Sequence, residues 1–392
     1  MSDIRLYDAS SLGGCLSTNV KDVWRVVLVS MFTALISTRS YSAELTDARY
    51  TKLNYGINLS HWYAQSDNGY DEERLSSYTT KSDMKLMRGK GFTHVRIPLS
   101  PSLVFTDGPG IGLNKTRVAL FKSRVQSFVE EGLAVVVDLH PSESEKRELG
   151  NQVGDTRLVD RWNILSKELS TLNPEFVFLE VLNEPHPLVG SAWHELQGRL
   201  LTSIRSGAPD HTIVLNPGGW SGVDDFENFK PYTDRNVVYT MHWYGPILFT
   251  HQGASWSWNI AEQVAGLGWP VTQEAAEAAA LKARSDEARN FVRQHAQDGQ
   301  FQKNWIEQQF NKLSRWQTQN DGARVYVGEF GAYRKVSPAL DRFRWHRASR
   351  EAFEARGWGW SVWDFKGGFG VANELNGKTT FEPKMMEALG RP

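Results

Sequence analysis

The sequence of 392 residues contains one cysteine, Cys15, so the chain can form no internal disulfide and has no thiolate metal site. It also lacks paired histidines of the H-E-x-x-H type, because its 10 histidines are scattered. An excess of positive charge is missing as well, since 44 Lys and Arg residues are balanced by 45 Asp and Glu residues. Nucleic-acid binding requires clustered, uncompensated Lys and Arg. We therefore expect neither a structural metal nor a nucleic-acid partner.

Tryptophan, in contrast, is abundant. The chain has 15 Trp residues, within a composition of 40% hydrophobic and 23% charged residues that is ordinary for a globular protein. The flat face of a Trp ring matches the flat CH surface of a sugar, which favours a carbohydrate ligand, although the same residues would also fill a large core. The length suits either two small domains or one large barrel.

The first 43 residues carry the features of a targeting segment. Residues 26–36 (VVLVSMFTALI) are largely apolar, Lys21 and Arg25 precede them, and Ser-Tyr-Ser-Ala follows at 40–43. This order is typical of a secretory signal peptide, and the apolar run is shorter than the roughly 20 residues that span a bilayer. A buried helix is the alternative interpretation. We predict a leader at 1–43, a folded domain at 44–392, a secreted or periplasmic location and no stable membrane anchor.

From residue 50 onward, short apolar runs alternate with amphipathic helical patterns such as 114–131 and 301–316. Eight runs have the pattern of strands buried on both faces, which is typical of a parallel sheet. They are residues 55–59, 94–98, 134–140, 177–183, 212–216, 237–242, 325–329 and 359–364. Eight strand–helix units predict an α/β fold, a single-domain TIM (β/α)8 barrel, and we expect a monomer. A doubly wound sheet is the alternative, but no G-x-G-x-x-G turn follows the first strand.

The connection after the sixth strand is too long for an ordinary loop. Between Tyr244 and Val325 the chain contains Trp256, Trp258 and Trp269, and an Ala-rich helix is predicted near 274–293. An insertion here leaves the C-terminal face of a barrel, where active sites lie. We expect it to form one wall of a substrate cleft, with bracing of the barrel as the alternative.

Polar residues collect where the predicted strands end, and two of them are glutamates. Glu184 follows the fourth strand and Glu329 ends the seventh, so a barrel would bring them to the same rim. Two carboxylates in one cleft are the minimum for glycoside hydrolysis, because one must donate a proton and the other must be ionised. Taken singly, either residue could instead be a helix cap or part of a structural ion pair.

These residues resemble a known family. Asn183-Glu184-Pro185 on the fourth strand, together with Val-Gly-Glu-Phe-Gly around Glu329, resembles glycoside hydrolase family 5, among the retaining barrel glycosidases of clan A. The resemblance extends over residues 56–363. It implies that Glu184 is the general acid/base, that Glu329 is the nucleophile, and that Asn183 bonds the sugar 2-hydroxyl.

The resemblance also implies roles for five neighbouring residues. Arg96 would lie beside the nucleophile and keep it ionised, and Tyr244 would donate its hydroxyl to it. Trp363 would stack beneath the reacting sugar, and His140 and His242 would complete the polar floor. Each has a structural alternative: Arg96 as the partner of an internal acid, the histidines as core residues and Trp363 as packing.

Further residues follow from strand position alone. His61, Trp62 and Trp220 come after the first and fifth strands, which makes them candidate wall residues for additional sugar subsites. Asp138 and Asp364 also lie at strand ends, and we interpret them as structural.

Hydrolysis by these groups needs no metal and no organic cofactor, because water is the second substrate. The expected substrate is a β-linked glucan polysaccharide or oligosaccharide, and an endo-β-1,4-glucanase is the leading interpretation. A β-mannanase or a β-1,3-glucanase of the same fold remains open, as do a transglycosylase and a barrel that only binds carbohydrate.

Overall fold

The computed structural model describes residues 44–106 and 111–391, which belong to one compact unit, Ser42–Pro392. The predicted leader lies outside the described residues. None of the described helices combines the length and apolar character needed to cross a membrane.

Eight parallel strands close into a barrel. We label them β1 to β8 in chain order, and each is hydrogen-bonded to its neighbours in the sequence, with β8 closing on β1. Their bounds are Tyr55–Asn58, His94–Leu99, Ala134–Leu139, Val177–Glu180, Thr212–Leu215, Val237–Trp243, Val325–Phe330 and Gly359–Val362. At the closure, Ile57 pairs with Val95 of β2 on one side and with Val362 of β8 on the other. The prediction of a single-domain TIM barrel is therefore confirmed.

Helices surround the barrel, and short hairpins lie outside it. The described helices are Asp47–Tyr50, Glu72–Ser77, Lys81–Gly89, Pro101–Val104, Lys115–Glu130, Glu143–Lys146, Gln152–Leu169, Gly190–Gly207, Ile247–Thr250, Asn259–Glu262, Gln273–Lys282, Asp286–Gln297, Lys303–Gln319, Ala339–Glu354 and Pro383–Ala388, with 3-10 turns at Thr51–Leu53 and Asp224–Phe226. Two hairpins pair Phe105–Thr106 with Gly112–Leu113 and Ala372–Leu375 with Lys378–Phe381.

Side chains of each strand alternate between two environments, as the period of two requires. In β3, Val135 and Val137 join the main apolar cluster that also contains residues of the surrounding helices. Ala134 and Val136 instead pack in a separate small cluster with residues from four other strands. Farther along the same strand, Asp138 is fully buried. The inward side chains of β3 are thus apolar at the N-terminal end of the strand and polar toward its C-terminal end.

The largest differences between the predicted and the observed elements are in β4 and in the Ala-rich stretch. β4 ends at Glu180, three residues before the predicted end, so Asn183 and Glu184 lie on the loop that follows; Glu184 has a φ of 39°, which a strand does not permit. The Ala-rich stretch forms two helices, Gln273–Lys282 and Asp286–Gln297, in place of one. The chain breaks because Ser285 caps the second helix through a bond from the Ala288 N–H.

The insertion between β6 and β7 brings only part of its length toward the strand ends. Ala254 packs in a cluster with Tyr333 and Trp363, which follow β7 and β8. Trp256 is exposed and meets the Tyr333 ring edge-on, whereas Trp269 is buried in the main core. The insertion therefore contributes both to the rim of the barrel and to packing around it.

Candidate active site

The ends of the strands bring together residues that are far apart in the sequence. Eight predicted site residues lie there: Arg96 on β2, His140 just after β3, Asn183 and Glu184 after β4, His242 on β6, Tyr244 after it, Glu329 on β7 and Trp363 after β8. Hydrogen bonds or ion pairs connect the first seven into a single network.

Glu184 and Glu329 face each other across this network. One carboxylate oxygen of each, together with a ring nitrogen of His242, lies within 4.8 Å of the others. Glu329 is 4% exposed, and Glu184 is partly exposed. The two acids are thus close enough to act on the two atoms of one bond of a substrate.

The guanidinium of Arg96 binds several carboxylates at once. Nη1 donates to Glu329 Oε1 at 2.6 Å, and Nε and Nη2 donate to Glu180 at 2.7 and 2.8 Å. Nη2 also lies 3.0 Å from Asp138 Oδ2. Burial alone would lower the pKa of Arg96, but these carboxylates raise it well above its usual range. Arg96 is therefore a permanent cation. It lies beside Glu329 and also pairs with internal acids, so the role implied by the resemblance and its structural alternative apply together.

Tyr244 binds the second oxygen of Glu329. Its hydroxyl donates to Oε2 at 2.8 Å, so each carboxylate oxygen of Glu329 accepts a bond from a donor of fixed position. Burial and the negative charge of Glu329 raise the pKa of Tyr244 well above its usual range. The hydroxyl consequently stays protonated and remains a donor.

His242 is bonded to the other glutamate. Its Nδ1 lies 2.7 Å from Glu184 Oε1 and 3.6 Å from Glu329 Oε2. Burial opposes charge on both partners, but the contact with His242 lowers the pKa of Glu184, and the two glutamates raise the pKa of His242. The pair holds one proton between its two members. The lowered pKa of Glu184 and the raised pKa of His242 place that proton on His242 in the unliganded site.

His140 and Asn183 form a second bonded pair. His140 Nδ1 lies 2.7 Å from Asp138 Oδ2, and its Nε2 lies 3.4 Å from the Asn183 amide nitrogen. Burial lowers the pKa of His140 to about 3, so the ring is neutral. With Asp138 as the acceptor at Nδ1, Nε2 accepts from Asn183, whose oxygen in turn accepts from Arg96 Nη2 at 3.0 Å. The orientation of the Asn183 amide is thus fixed at both ends.

Trp363 lies at the side of this network. Its ring is 7% exposed and packs against Tyr333, Phe369 and Ala254. It is nearly parallel to the ring of His140, with an angle of 14° between planes and 6.2 Å between centroids. The packing holds the indole in one orientation at the edge of the polar floor.

The three candidate wall residues differ in their exposure. Trp220 is 53% exposed and stacks on His186, with 4.3 Å between ring centroids, so it offers a free aromatic surface. His61 is partly exposed, and its Nε2 lies 3.9 Å from Asp364 Oδ2. Trp62 is fully buried in the main core, where its Nε1 donates to the carbonyl of Leu75. The prediction for Trp62 is therefore wrong.

The turn after β1 explains why neighbouring residues differ so sharply. His61 has a φ of 58° in the turn after β1, a conformation uncommon for residues other than glycine, and Trp62, the next residue, is buried in the core. Trp62 then stacks on Tyr78 at 5.8 Å between ring centroids. Position after a strand indicates a rim location but does not determine which side chains face the cleft.

Asp138 and Asp364 have structural partners, as interpreted from the sequence. Asp138 binds Arg96 and His140, and Asp364 accepts a bond from the hydroxyl of Ser60. Burial raises the pKa of each aspartate to about 7. The roles of both carboxyls are in holding neighbouring groups.

One residue of the network was missed in the sequence. Glu180 is fully buried in β4 and forms the two-bond contact with Arg96. A signal was present, because an acid within a strand that is apolar on both faces must be paired or neutralised inside the barrel. The sequence pattern alone does not tell which cation pairs with it.

A metal ion has one candidate position in the described part of the chain. Glu184, His242 and Glu329 offer three ligand atoms within 4.8 Å of one another. However, His242 and Glu184 are already bonded to each other, and both oxygens of Glu329 accept bonds from Arg96 and Tyr244. The donors are thus engaged in a proton network, an arrangement that does not fit an ion held by protein ligands.

A family model agrees with this geometry. The model described as cellulase (glycosyl hydrolase family 5) matches residues 55–368, which include the entire barrel. The chain belongs to glycosyl hydrolase family 5. The resemblance inferred from Asn183-Glu184-Pro185 and Glu329 is therefore confirmed, and so is the prediction of a glycoside hydrolase.

Curated relatives of this family 5 member are endoglucanases and a cellodextrinase. Endoglucanase 3 of Fibrobacter succinogenes is 25% identical over 347 residues, which cover 83% of this chain and 51% of the relative. The chain thus spans about half the length of that relative. Cellodextrinase A of Ruminococcus flavefaciens is 26% identical over 77% of this chain and 82% of its own. Endoglucanase C of Acetivibrio thermocellus is 25% identical, with coverages of 79% and 90%.

Solved structures agree on the fold. Endoglucanase Cel5A of Thermotoga maritima is 26% identical, with a TM-score of 0.72 over 87% of this chain and 98% of its own. The same Thermotoga protein was also solved in complex with cellobiose and in complex with mannotriose, each with a TM-score of 0.71.

Proposed function

We propose that this family 5 member is an endo-β-1,4-glucanase that cleaves with retention of configuration. The observation that carries the proposal is the approach of a Glu184 oxygen and a Glu329 oxygen to within 4.8 Å. Carboxyl groups about 5–5.5 Å apart favour a covalent double displacement, whereas inversion requires a gap of about 6.5–9.5 Å that admits water. The spacing therefore supports retention.

In the first step, a carboxylate oxygen of Glu329 attacks the anomeric carbon. The glycosidic C–O bond breaks, its electron pair moves to the leaving oxygen, and Glu184 donates the proton that this oxygen takes up. The product is a glycosyl ester on Glu329. Arg96 and Tyr244 orient the attacking carboxylate through their bonds to its two oxygens.

The proton for this step comes from the bond between His242 and Glu184. In the unliganded site the pair is an imidazolium and a carboxylate, 2.7 Å apart. A bound sugar excludes water and lowers the local dielectric, which disfavours separated charges and favours the neutral pair. The proton then moves along the hydrogen bond to Glu184, which becomes the acid, and His242 becomes neutral.

In the second step, Glu184 is a carboxylate and acts as a base. It takes a proton from water while the water oxygen bonds to the anomeric carbon, and the ester bond to Glu329 breaks with its electron pair returning to the carboxylate. Asn183, held by His140 and Arg96, presents its amide to the sugar 2-hydroxyl. Glu329 is again a carboxylate and Glu184 is protonated, and when the product leaves the proton returns along the hydrogen bond to His242.

The glucan assignment rests on the relatives. Three curated relatives at 25–26% identity are two endoglucanases and a cellodextrinase, and a structure at 26% identity was solved with cellobiose. A β-mannanase is the second candidate, because a structure of the same Thermotoga protein was solved with mannotriose.

A panel of polysaccharides tests the substrate. Carboxymethyl cellulose, mixed-linkage β-glucan, laminarin and galactomannan would be assayed for new reducing ends, with wild type beside Glu329→Ala. We expect activity on the first two substrates that is absent from the variant. Activity confined to galactomannan or laminarin would keep the chemistry and overturn the glucan assignment.

Two variants test the roles of the carboxylates. Glu329→Ala should retain oligosaccharide binding but lose hydrolysis by a factor of about 10⁴ or more, because no covalent intermediate can form. Glu184→Ala should still form a covalent adduct with dinitrophenyl β-cellobioside, since that leaving group needs no proton. Intact mass spectrometry detects the adduct, and its absence would contradict the acid/base role of Glu184.

We further propose that the protein is exported. The proposal rests on the apolar run at 26–36 and its basic flank. Expression in a bacterial host, followed by N-terminal sequencing of the protein outside the cytoplasm, tests it. A start near residue 43 or 44 is expected, and retention of the full chain in the cytoplasm would overturn it.

A further inference from the structure

A buried lysine lies close enough for its charge to act on Glu184 and His140, and the hydrolysis scheme above gives it no role. Lys146 ends the short helix Glu143–Lys146 after β3, and its side chain is 3% exposed. Removing an ammonium from water is costly unless hydrogen bonds and opposite charges compensate. Within the described residues its one hydrogen bond goes to Glu143 Oε1, at 3.0 Å.

The bond to Glu143 does not account for this burial. Glu143 is 62% exposed, and a pair with an exposed carboxylate contributes little stability. An ammonium has three donors, so two of those on Lys146 are left over for another partner. The position therefore suggests a ligand that arrives only with the substrate.

The same ammonium lies over an exposed aromatic ring. Lys146 Nζ is 5.7 Å from the ring centroid of Trp220, which is 53% exposed. Trp220 stacks on His186, and His186 follows Glu184 by two residues. The residues on either side of Trp220 bond to the site, because the Gly219 carbonyl accepts from the His186 N–H at 3.0 Å and the Ser221 carbonyl accepts from the His242 N–H at 2.8 Å. A sugar on this ring would therefore lie on the Glu184 side of the cleft, where the leaving group departs if Glu184 is the acid.

The charge of Lys146 also acts on the catalytic groups. Burial has the largest effect on the pKa of Glu184 and raises it, whereas His242 and then Lys146 lower it. The charge of Lys146 acts on His140 as well. Its low exposure resembles that of Asn183 and His242, at 3% and 4%, which belong to the floor of the cleft. Burial of this degree is thus ordinary for a group that meets substrate here.

We propose that Lys146 is a specificity-determining residue on the leaving-group side, where its ammonium donates hydrogen bonds to hydroxyl groups of a neutral hexose stacked on Trp220. This inference rests on the proposed function, because it takes Glu184 as the acid that protonates the leaving oxygen. A hexose offers both a CH face for the indole and hydroxyl oxygens for the ammonium, so one ligand satisfies both groups.

Two substrates with the same glycone separate this role from a structural one. Cellotetraose places sugars on the leaving-group side, whereas dinitrophenyl β-cellobioside places only an aryl group there. We expect Lys146→Met to lower kcat/KM on cellotetraose about tenfold more than on the aryl glycoside, because the lost bonds are to a sugar. Lys146→Arg, which keeps the charge and donors, should restore part of the difference.

Lys122→Met is the matched control. Lys122 is a partly buried lysine on helix Lys115–Glu130 that pairs with Glu168 at 3.3 Å. It should leave the ratio of the two kcat/KM values unchanged. An equal loss on both substrates in Lys146→Met would overturn the proposal and leave Lys146 a structural residue.

The outcome also separates this proposal from the glucan assignment. A wild type that cleaves mannotetraose and not cellotetraose would overturn the glucan assignment alone, and the same comparison would then use mannotetraose and an aryl mannobioside. A wild type that cleaves neither class would overturn both. Added cellobiose should accelerate release of the glycosyl-enzyme less in Lys146→Met than in wild type, since the acceptor uses the same position.

Discussion

Arg96 and Glu180 form a two-bond ion pair inside the barrel, with Nε 2.7 Å from Oε2 and Nη2 2.8 Å from Oε1. This contact fixes the plane of the guanidinium and leaves Nη1 directed at Glu329, 2.6 Å away. The orientation of the proposed nucleophile, Glu329, therefore depends on the Arg96 guanidinium, which the carboxylate of Glu180 holds in place.

Arg96→Lys tests this dependence. Lysine keeps the positive charge but presents one ammonium, which cannot bond Glu180 and Glu329 in the same geometry. We expect kcat on a soluble glucan to fall by about 100-fold, because a small displacement of a reacting group is costly. Arg356→Lys is the control, since Arg356 also makes several bonds, to Glu307 and Asn311 among others, and it should change kcat by less than about twofold. An unchanged kcat in Arg96→Lys would contradict the proposed orientation.

His242→Gln tests the shared proton. In wild type the pKa of His242 is raised above 6.5, so the pair keeps its proton to a pH above that value. The basic limb of the activity profile should therefore also lie above pH 6.5. In the variant the proton must be held by Glu184 alone, a carboxyl, so the basic limb of kcat/KM should move to lower pH by about one unit or more. Rates measured between about pH 4 and about pH 9 check this.

The control for this profile is His194→Gln. His194 stacks on Tyr232 and bonds the carbonyl of Lys230, so its loss should not alter the limb. A basic limb that stays in place in His242→Gln would show that His242 does not carry the proton.

Trp62 and Trp220 should respond oppositely to removal. Trp220→Ala removes an exposed ring, so we expect KM for cello-oligosaccharides to rise about tenfold with little change in stability. Trp62→Ala removes a fully buried ring and should lower the free energy of unfolding by about 3–5 kcal/mol. Steady-state kinetics and urea unfolding measure both. A destabilised Trp220→Ala with normal KM would contradict its assignment as a sugar-stacking residue.

Asp364→Asn tests a pH effect on stability. Burial raises the pKa of Asp364 from 3.8 to about 7, and the bond from Ser60 opposes this. Because the folded pKa exceeds the unfolded one, this group stabilises the fold fully below pH about 4, and the contribution is lost as pH rises through about 7. Wild type should therefore lose up to about 4 kcal/mol more than the variant across this window. Urea unfolding at several pH values measures it.

The matched control for Asp364→Asn is Asp67→Asn, at an exposed position in the loop after β1. Its pH dependence should equal that of wild type. If Asp364→Asn also followed the wild-type curve, the carboxyl would not titrate differently in the two states.

Much of the fold could be predicted because its signals are local. β-branched runs and amphipathic repeats indicate strands and helices, and eight such units indicate a closed barrel, which the structure confirms. The glutamates could be assigned to one rim because parallel strands end at the same face of a barrel. The conformation of the chain after β4 could not be predicted, because Glu184 takes a positive φ that its residue type does not indicate.

The sequence by itself determined the barrel, its long insertion, and a set of polar strand ends with two glutamates. Only the tertiary structure decided that Glu180 pairs with Arg96, that His242 bonds Glu184, and that Trp62 is core while Trp220 is exposed. Hydrophobic periodicity is a property of neighbouring residues and can be read along the chain. The Arg96–Glu180 ion pair and the His242–Glu184 bond join residues more than 50 positions apart, so their partners are chosen by the closure of the barrel and by the cost of leaving any buried charge unpaired.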